Sequence, residues 1–144
     1  MKILVINGPN MNMLGLREPE IYGNVNYKGL IEMIKKEADS MNIETEFFQS
    51  NHEGALVDKI QEAYGVFDGI IINPAAYTHT SVAILDAVKS VGIPTIEVHV
   101  SDPDTRDEFR KVSYIRQACI GTVKGKGLQG YIEALHTLND YLKK

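Results

Sequence analysis

The feature that most constrains this chain is a repeated change of period. Continuous, β-branched apolar runs occur at "ILVI" (3–6), "IETEFF" (43–48), "GIIIN" (69–73), "TIEVHV" (95–100) and, less clearly, "CIGTV" (119–123). Between and after them lie amphipathic segments at 27–41, 54–65, 80–92 and 128–142. In the first, Leu30, Ile31, Ile34, Ala38 and Met41 recur at helical spacing, so one stripe of the segment is apolar. Asn26 and Thr80 stand where helix caps belong, and Asn42 where a helix stops. Strand–helix alternation predicts a parallel sheet between two helical layers, and the apolar "IIIN" suits a strand buried on both faces. With right-handed crossovers the expected fold is a flavodoxin-like three-layer α/β/α sandwich, with a five-stranded parallel sheet of order 2-1-3-4-5. No repeat or linker interrupts the pattern, so residues 1–144 are expected to form one domain.

Composition narrows the classes further. A hydrophobic share of 44% and a charged share of 24% are those of an ordinary globular protein. A net charge of −4 argues against nucleic acid as a partner. Cys119 is the lone cysteine, which excludes an internal disulfide or a cysteine metal cluster. The opening "MKILVING" is too short an apolar run for a signal peptide, and no segment reaches the length of a membrane span. The expectation is a cytoplasmic protein with no membrane partner.

One loop is out of proportion. Strand-to-helix connections usually take about 2–6 residues. Here "NGPNMNMLGLREPEIYG", Asn7 to Gly23, follows the first strand with asparagines, an arginine and a tyrosine. In open α/β sheets ligands bind beyond the carboxyl ends of the strands. That edge collects Asn7, Asn10, Asn12, Arg17 and Tyr22 after strand 1, "SNHEG" after strand 2 and "NPAAYTHTS" after strand 3. Strand 4 adds His99, Ser101, Arg106 and Arg110. A site across strands 1, 3 and 4 follows, with the long loop supplying functional groups.

Each residue has two readings. Asn10 is either a turn former or a ligand. Arg17 either pairs with Glu18 or Glu20, or sits beside Tyr22, where a guanidinium favours the phenolate and makes a general base. His99 is either a satisfied core histidine or a proton donor. Glu97, two residues earlier on the same face of the strand, can fix its tautomer. His79 either belongs to the segment "THTS", in which Thr78, Thr80 or Ser81 caps the next helix, or contacts a ligand. Asp86 lies mid-helix, where solvent exposure is the default. Arg106 and Arg110 share a helical face, with Asp107 and Glu108 as alternative partners. The histidines lack the local spacing of a metal motif.

The blocks "NGPNMNMLGLREPEIYG", "QSNHEG", "INPAAYTHTSVA", "IEVHVSDPDTRDEFR" and "GLQGY" together resemble type II 3-dehydroquinate dehydratase, in order and at matching intervals over the whole chain. The resemblance implies reversible trans-dehydration of 3-dehydroquinate to 3-dehydroshikimate through an enolate, in the shikimate pathway, without metal or cofactor. It implies Tyr22 as proton acceptor, Arg17 as transition-state stabiliser, Asn10 as enolate stabiliser and His99 as proton donor, oriented by Glu97. It implies ring contacts from Asn73, His79 and Arg110, and carboxylate contacts from the amides of Val100 and Ser101 and the Ser101 hydroxyl. Asp86 would come from a neighbouring subunit of a dodecamer built from trimers. Three features depart from the family pattern: Asp102 for asparagine, Lys126 for leucine, and "VSYI" without the preceding histidine that is expected. A rival class is a flavodoxin-like carrier or phosphoacceptor. Pro9 removes a donor from any phosphate cradle, and strands 1 and 3 end in Asn7 and Asn73 rather than acids.

Overall fold

The computed structural model of the chain describes residues 1–16, 20 and 24–144. Its strands are β1 Lys2–Asn7, β2 Glu44–Gln49, β3 Gly69–Asn73, β4 Thr95–His99 and β5 Gly121–Lys124. All neighbours pair in parallel, in the order β2-β1-β3-β4-β5. The helices are α1 Tyr27–Ser40, α2 Glu53–Glu62, α3 Val82–Val91 and α4 Gln129–Leu142. The expected architecture is therefore the observed one.

The period-2 geometry of a strand explains the three layers. Along β1, Ile3 and Val5 join one core cluster with Leu30 and Ile34 of α1 and Leu135 and Leu138 of α4. Leu4 and Ile6, which point the opposite way, join Leu56 and Ile60 of α2 and Ile84 and Val88 of α3. Each fully buried Leu or Ile side chain contributes roughly 1.5–3 kcal/mol, so a central strand apolar on both faces is locked between the layers.

Helix ends follow their capping residues. The Asn26 side chain accepts from Gly29 N at 2.8 Å to start α1, and Asn42 turns left-handed (φ 57°) just after it. α3 begins at Val82 because Ser81, rather than Thr80, is the cap: its Oγ accepts from Ile84 N at 2.9 Å. β5 starts later than expected. Ile120 donates to Thr95 O at 2.8 Å but stays outside the ladder, with its side chain 40% exposed. The β4–β5 crossover holds three 3-10 turns, Pro103–Thr105, Glu108–Lys111 and Ile115–Ala118, and no α-helix. Pro103 and the surrounding Asp, Ser and Thr residues favour turns, and no long apolar stripe is present to stabilise a helix.

One close approach ties β1 to β3 at the carboxyl edge. Gly8 N donates to Asn73 O at 2.8 Å, and a Cβ on Gly8 would lie 2.4 Å from the Pro74 carbonyl oxygen. Gly8→Ala is expected to cost about 1–3 kcal/mol as overpacking against rigid backbone. Gly54→Ala, where a Cβ meets nothing within 4 Å, should stay within about 1 kcal/mol of the parent. Urea unfolding midpoints compare them; equal stability of the two variants would contradict the close approach.

Candidate active site

β1, β3 and β4 end on one edge, and Asn7 stands opposite Asn73 in the β1–β3 register. Both side chains are buried and meet on one phenol from α4. Tyr131 OH donates to Asn7 Oδ1 at 2.5 Å and accepts from Asn73 Nδ2 at 3.0 Å. Asn73 Oδ1 accepts from Ala75 N at 3.0 Å, which folds the chain into the left-handed Ala75 (φ 53°). Among the described residues, the second partner of Asn73 Nδ2 is the weak acceptor Met11 Sδ, at 3.6 Å.

The loop after β1 is held from β2. Gln49 Nε2 donates to Gly8 O at 3.1 Å and to Asn12 Oδ1 at 3.3 Å, and Asn51 Oδ1 accepts from Asn10 N at 3.0 Å. Asn10 is left-handed (φ 70°), a conformation asparagine tolerates better than most residues. Its side chain borders a cavity of about 150 Å³ between the ends of β1, β3 and β4.

β4 supplies the ionisable pair. Ile96 and Val98 face the α1/α4 layer, so Glu97 and His99 point to the opposite face. Glu97 has no solvent exposure. His99 Nε2–H donates to its Oε2 at 2.5 Å, and Ser113 Oγ donates to the same oxygen at 2.7 Å. Arg116 bridges both oxygens, Nε to Oε1 at 2.9 Å and Nη2 to Oε2 at 3.3 Å, while Thr122 Oγ1 donates to Oε1 at 3.1 Å. Burial alone would raise the Glu97 pKa, but the donors from His99, Arg116 and Ser113 outweigh it and bring it down to about 2. With Nε2 committed to a carboxylate that only accepts, the His99 nitrogen left for the cavity is Nδ1.

The other histidine is set the opposite way. His79 Nδ1–H donates to Val112 O at 2.7 Å, leaving Nε2 as an acceptor. Burial lowers its pKa, and the nearby His99 and Arg110 add to that, against the Val112 carbonyl and Glu97. Val100 and Ser101 continue the cavity wall after β4, and Arg106 and Arg110 complete its cationic side. Arg110 Nε pairs with Asp107 Oδ2 at 3.1 Å, one of its alternative partners.

Of the residues singled out in the sequence, Asn10, Asn73, His79, His99, Val100, Ser101 and Arg110 all line this one cavity, and Glu97 lies directly behind His99. Arg17 and Tyr22 lie outside the described residues. Asp86 is on the exposed side of α3 and does not line the cavity of its own chain. Asp102 caps the turn Pro103–Thr105, accepting from Asp104 N at 3.0 Å, and Lys126 pairs at the surface with Glu133 at 2.8 Å. Sequence reading missed Ser113, Arg116 and Thr122. They come from distant positions that no local spacing links to Glu97. Among the described residues no group of His, Cys, Asp and Glu could hold a metal ion, and no helix is long and apolar enough to cross a membrane.

A doubly wound parallel sheet with a polar cleft at its carboxyl edge, walled by two histidines and two arginines, has the layout of a small-molecule enzyme. The chain belongs to the class II dehydroquinase family: the family model described as "Dehydroquinase class II" matches residues 1–139. A 3-dehydroquinate dehydratase of Caldicellulosiruptor saccharolyticus is 57% identical over 142 residues, covering 98% of each chain. A second, from Clostridium acetobutylicum, is 52% identical over the full length of both. The crystal structure of a type II dehydroquinase from Butyrivibrio crossotus superposes with a TM-score of 0.95 at 58% identity, covering 96% of this chain and 97% of that one. The family inferred from the sequence blocks is the family found.

The Glu97 environment predicts how acid acts on the fold. A carboxylate whose pKa falls on folding adds stability above its ordinary 4.5 and loses it as the pH drops toward 2. The contribution is on the order of 3 kcal/mol. Glu97→Gln lacks it, so the stability gap between parent and variant should be widest near neutrality and narrow as the pH falls through that window. Urea midpoints across the range check this; a gap independent of pH would contradict it.

Proposed function

We propose that this chain is a type II 3-dehydroquinate dehydratase that removes water from 3-dehydroquinate by acid–base catalysis at the cavity described above. The observation that carries the reading is the buried Glu97 carboxylate bonded to His99 at the cavity wall, in a chain of the class II dehydroquinase family.

The chemistry asks for two proton carriers. The C2 proton lies beside a ketone and needs a base; the C1 hydroxyl needs an acid to leave as water. His99 as imidazolium gives its Nδ1 proton to the departing hydroxyl and returns to the neutral tautomer that keeps Nε2–H on Glu97. Tyr22 takes the C2 proton as phenolate, with Arg17 stabilising that charge. Electrons from the C2–H bond pass into the enolate, and its collapse breaks the C1–O bond. Asn10 steadies the enolate oxygen, by donation through its side chain or a bridging water. One such donor is commonly worth about 3–4 kcal/mol.

Recognition uses the remaining wall. The substrate carboxylate meets the Val100 and Ser101 amides and the Ser101 hydroxyl. His79, held with Nε2 as an acceptor, receives a ring hydroxyl, and the spare Asn73 hydrogen and Arg110 hold the others. Asp86 of the partner subunit completes the site in a homododecamer. The whole of residues 1–144 acts as one domain, in the cytoplasm, in the shikimate pathway that supplies chorismate and the aromatic amino acids. Neither a metal nor a cofactor is needed by an elimination that a phenolate, an imidazolium and an enolate-binding amide carry out.

Absorbance of the conjugated enone after adding 3-dehydroquinate tests the reaction. Tyr22→Phe and His99→Ala should each lower kcat by about 10²–10⁴-fold with KM little changed; near-normal turnover in either removes that residue from its role. Asp86→Ala should raise KM, and light scattering should give a mass near twelve chains of 16.0 kDa. An active monomer would separate the activity from the assembly.

A further inference from the structure

The acid–base reading uses His99 and Glu97 and leaves Arg116 unassigned. Arg116 sits in the turn Ile115–Ala118 of the β4–β5 crossover and reaches both oxygens of Glu97 with a planar fork. Such a fork fixes the rotation of a carboxylate more firmly than a single donor does. That rotation matters here because Oε2 alone receives His99. The fork also divides the carboxylate charge. A carboxylate shared between a guanidinium and an imidazole holds the imidazole proton less tightly than one facing the imidazole alone.

We propose that Arg116 is a positioning residue for proton transfer, acting on His99 only through Glu97, by fixing the carboxylate and taking up part of its charge so that His99 releases its proton to the leaving hydroxyl. The inference rests on the reading of His99 as the proton donor.

The surrounding charges leave this role to Arg116. Asp104 is the other carboxylate close to Arg116, and it is paired with Lys124 of β5. The Cys119 thiol is pushed up to about 12 by burial, so it carries no charge near neutrality. His79 and Arg110 face His99 across the cavity, where Arg106 also lies. Ser113 and Thr122 donate to Glu97 as neutral groups. Among the described residues, Arg116 is the guanidinium hydrogen-bonded to Glu97.

The test replaces charge while keeping a donor. In Arg116→Gln, nitrogen NMR of the His99 ring in the assembled protein should show its titration midpoint raised by about one unit. The alkaline limb of kcat should move the same way. At neutral pH, kcat should fall roughly threefold to tenfold, with KM for 3-dehydroquinate within about twofold of the parent. Arg116→Lys, which restores the charge without the fork, should return the midpoint and only part of kcat. Arg116→Met repeats the titration should the glutamine variant not assemble. A His99 midpoint unmoved by loss of the guanidinium overturns the proposal. Normal turnover in His99→Ala would instead remove the proton-donor reading, and the ring titration distinguishes the two failures.

Discussion

The burial of one negative charge organises the functional half of this molecule. A carboxylate with no solvent exposure costs several kcal/mol unless donors replace the water it has lost. Glu97 has those donors only because separate parts of the chain converge on it. Thr122 reaches it because β5 lies beside β4 with Glu97 and Thr122 in register. Ser113 and Arg116 reach it because the crossover folds as short turns. A regular helix over the same stretch would present one apolar stripe to the sheet; here the covering segment has to deliver a hydroxyl and a guanidinium.

A second polar network does the same for the other side of the cavity, with neutral groups. Tyr131 projects from α4 to the ends of β1 and β3 and ties Asn7 to Asn73. Strand ends normally lead straight into loops, yet these two are pinned to each other, to α4 and, through Gly8, to the backbone of the next strand. Asn73 therefore has a fixed rotamer and, among the described residues, one hydrogen without a strong acceptor. Preorganised donors of that kind need no rearrangement when a hydroxyl arrives.

Much of this was legible in the sequence, for identifiable reasons. Among the described residues the strands and α-helices showed because their apolar periods are strong; Asn26 marked the start of α1, while the cap of α3 was read one residue early, at Thr80 instead of Ser81. The carboxyl edge showed because polar and ionisable residues cluster after strands 1, 3 and 4. Glu97 and His99 showed as a pair because a strand puts residues two apart on one face. What stayed hidden was long-range: Arg116 and Thr122 follow Glu97 by 19 and 25 residues, and no periodicity relates them. The crossover was misread: Arg106 and Arg110, expected on one helical face, lie outside any helix and in the 3-10 turn Glu108–Lys111 respectively, because a stretch of short turns leaves no repeating pattern to read. Asp102 and Lys126, which depart from the family pattern, are explained locally as a turn cap and a surface ion pair.

Two histidines share one cavity, and their partners separate their chemistry. His79 gives its proton to a backbone carbonyl, which cannot change charge, and burial beside Arg110 disfavours a second cation there. His99 gives its proton to a carboxylate, which compensates a positive ring. One imidazole is therefore held against a fixed neutral carbonyl and the other against a carboxylate. Different partners can give two like side chains different roles within one small site. The side-chain type alone does not decide the assignment: a carbonyl or a carboxylate at the second ring nitrogen does.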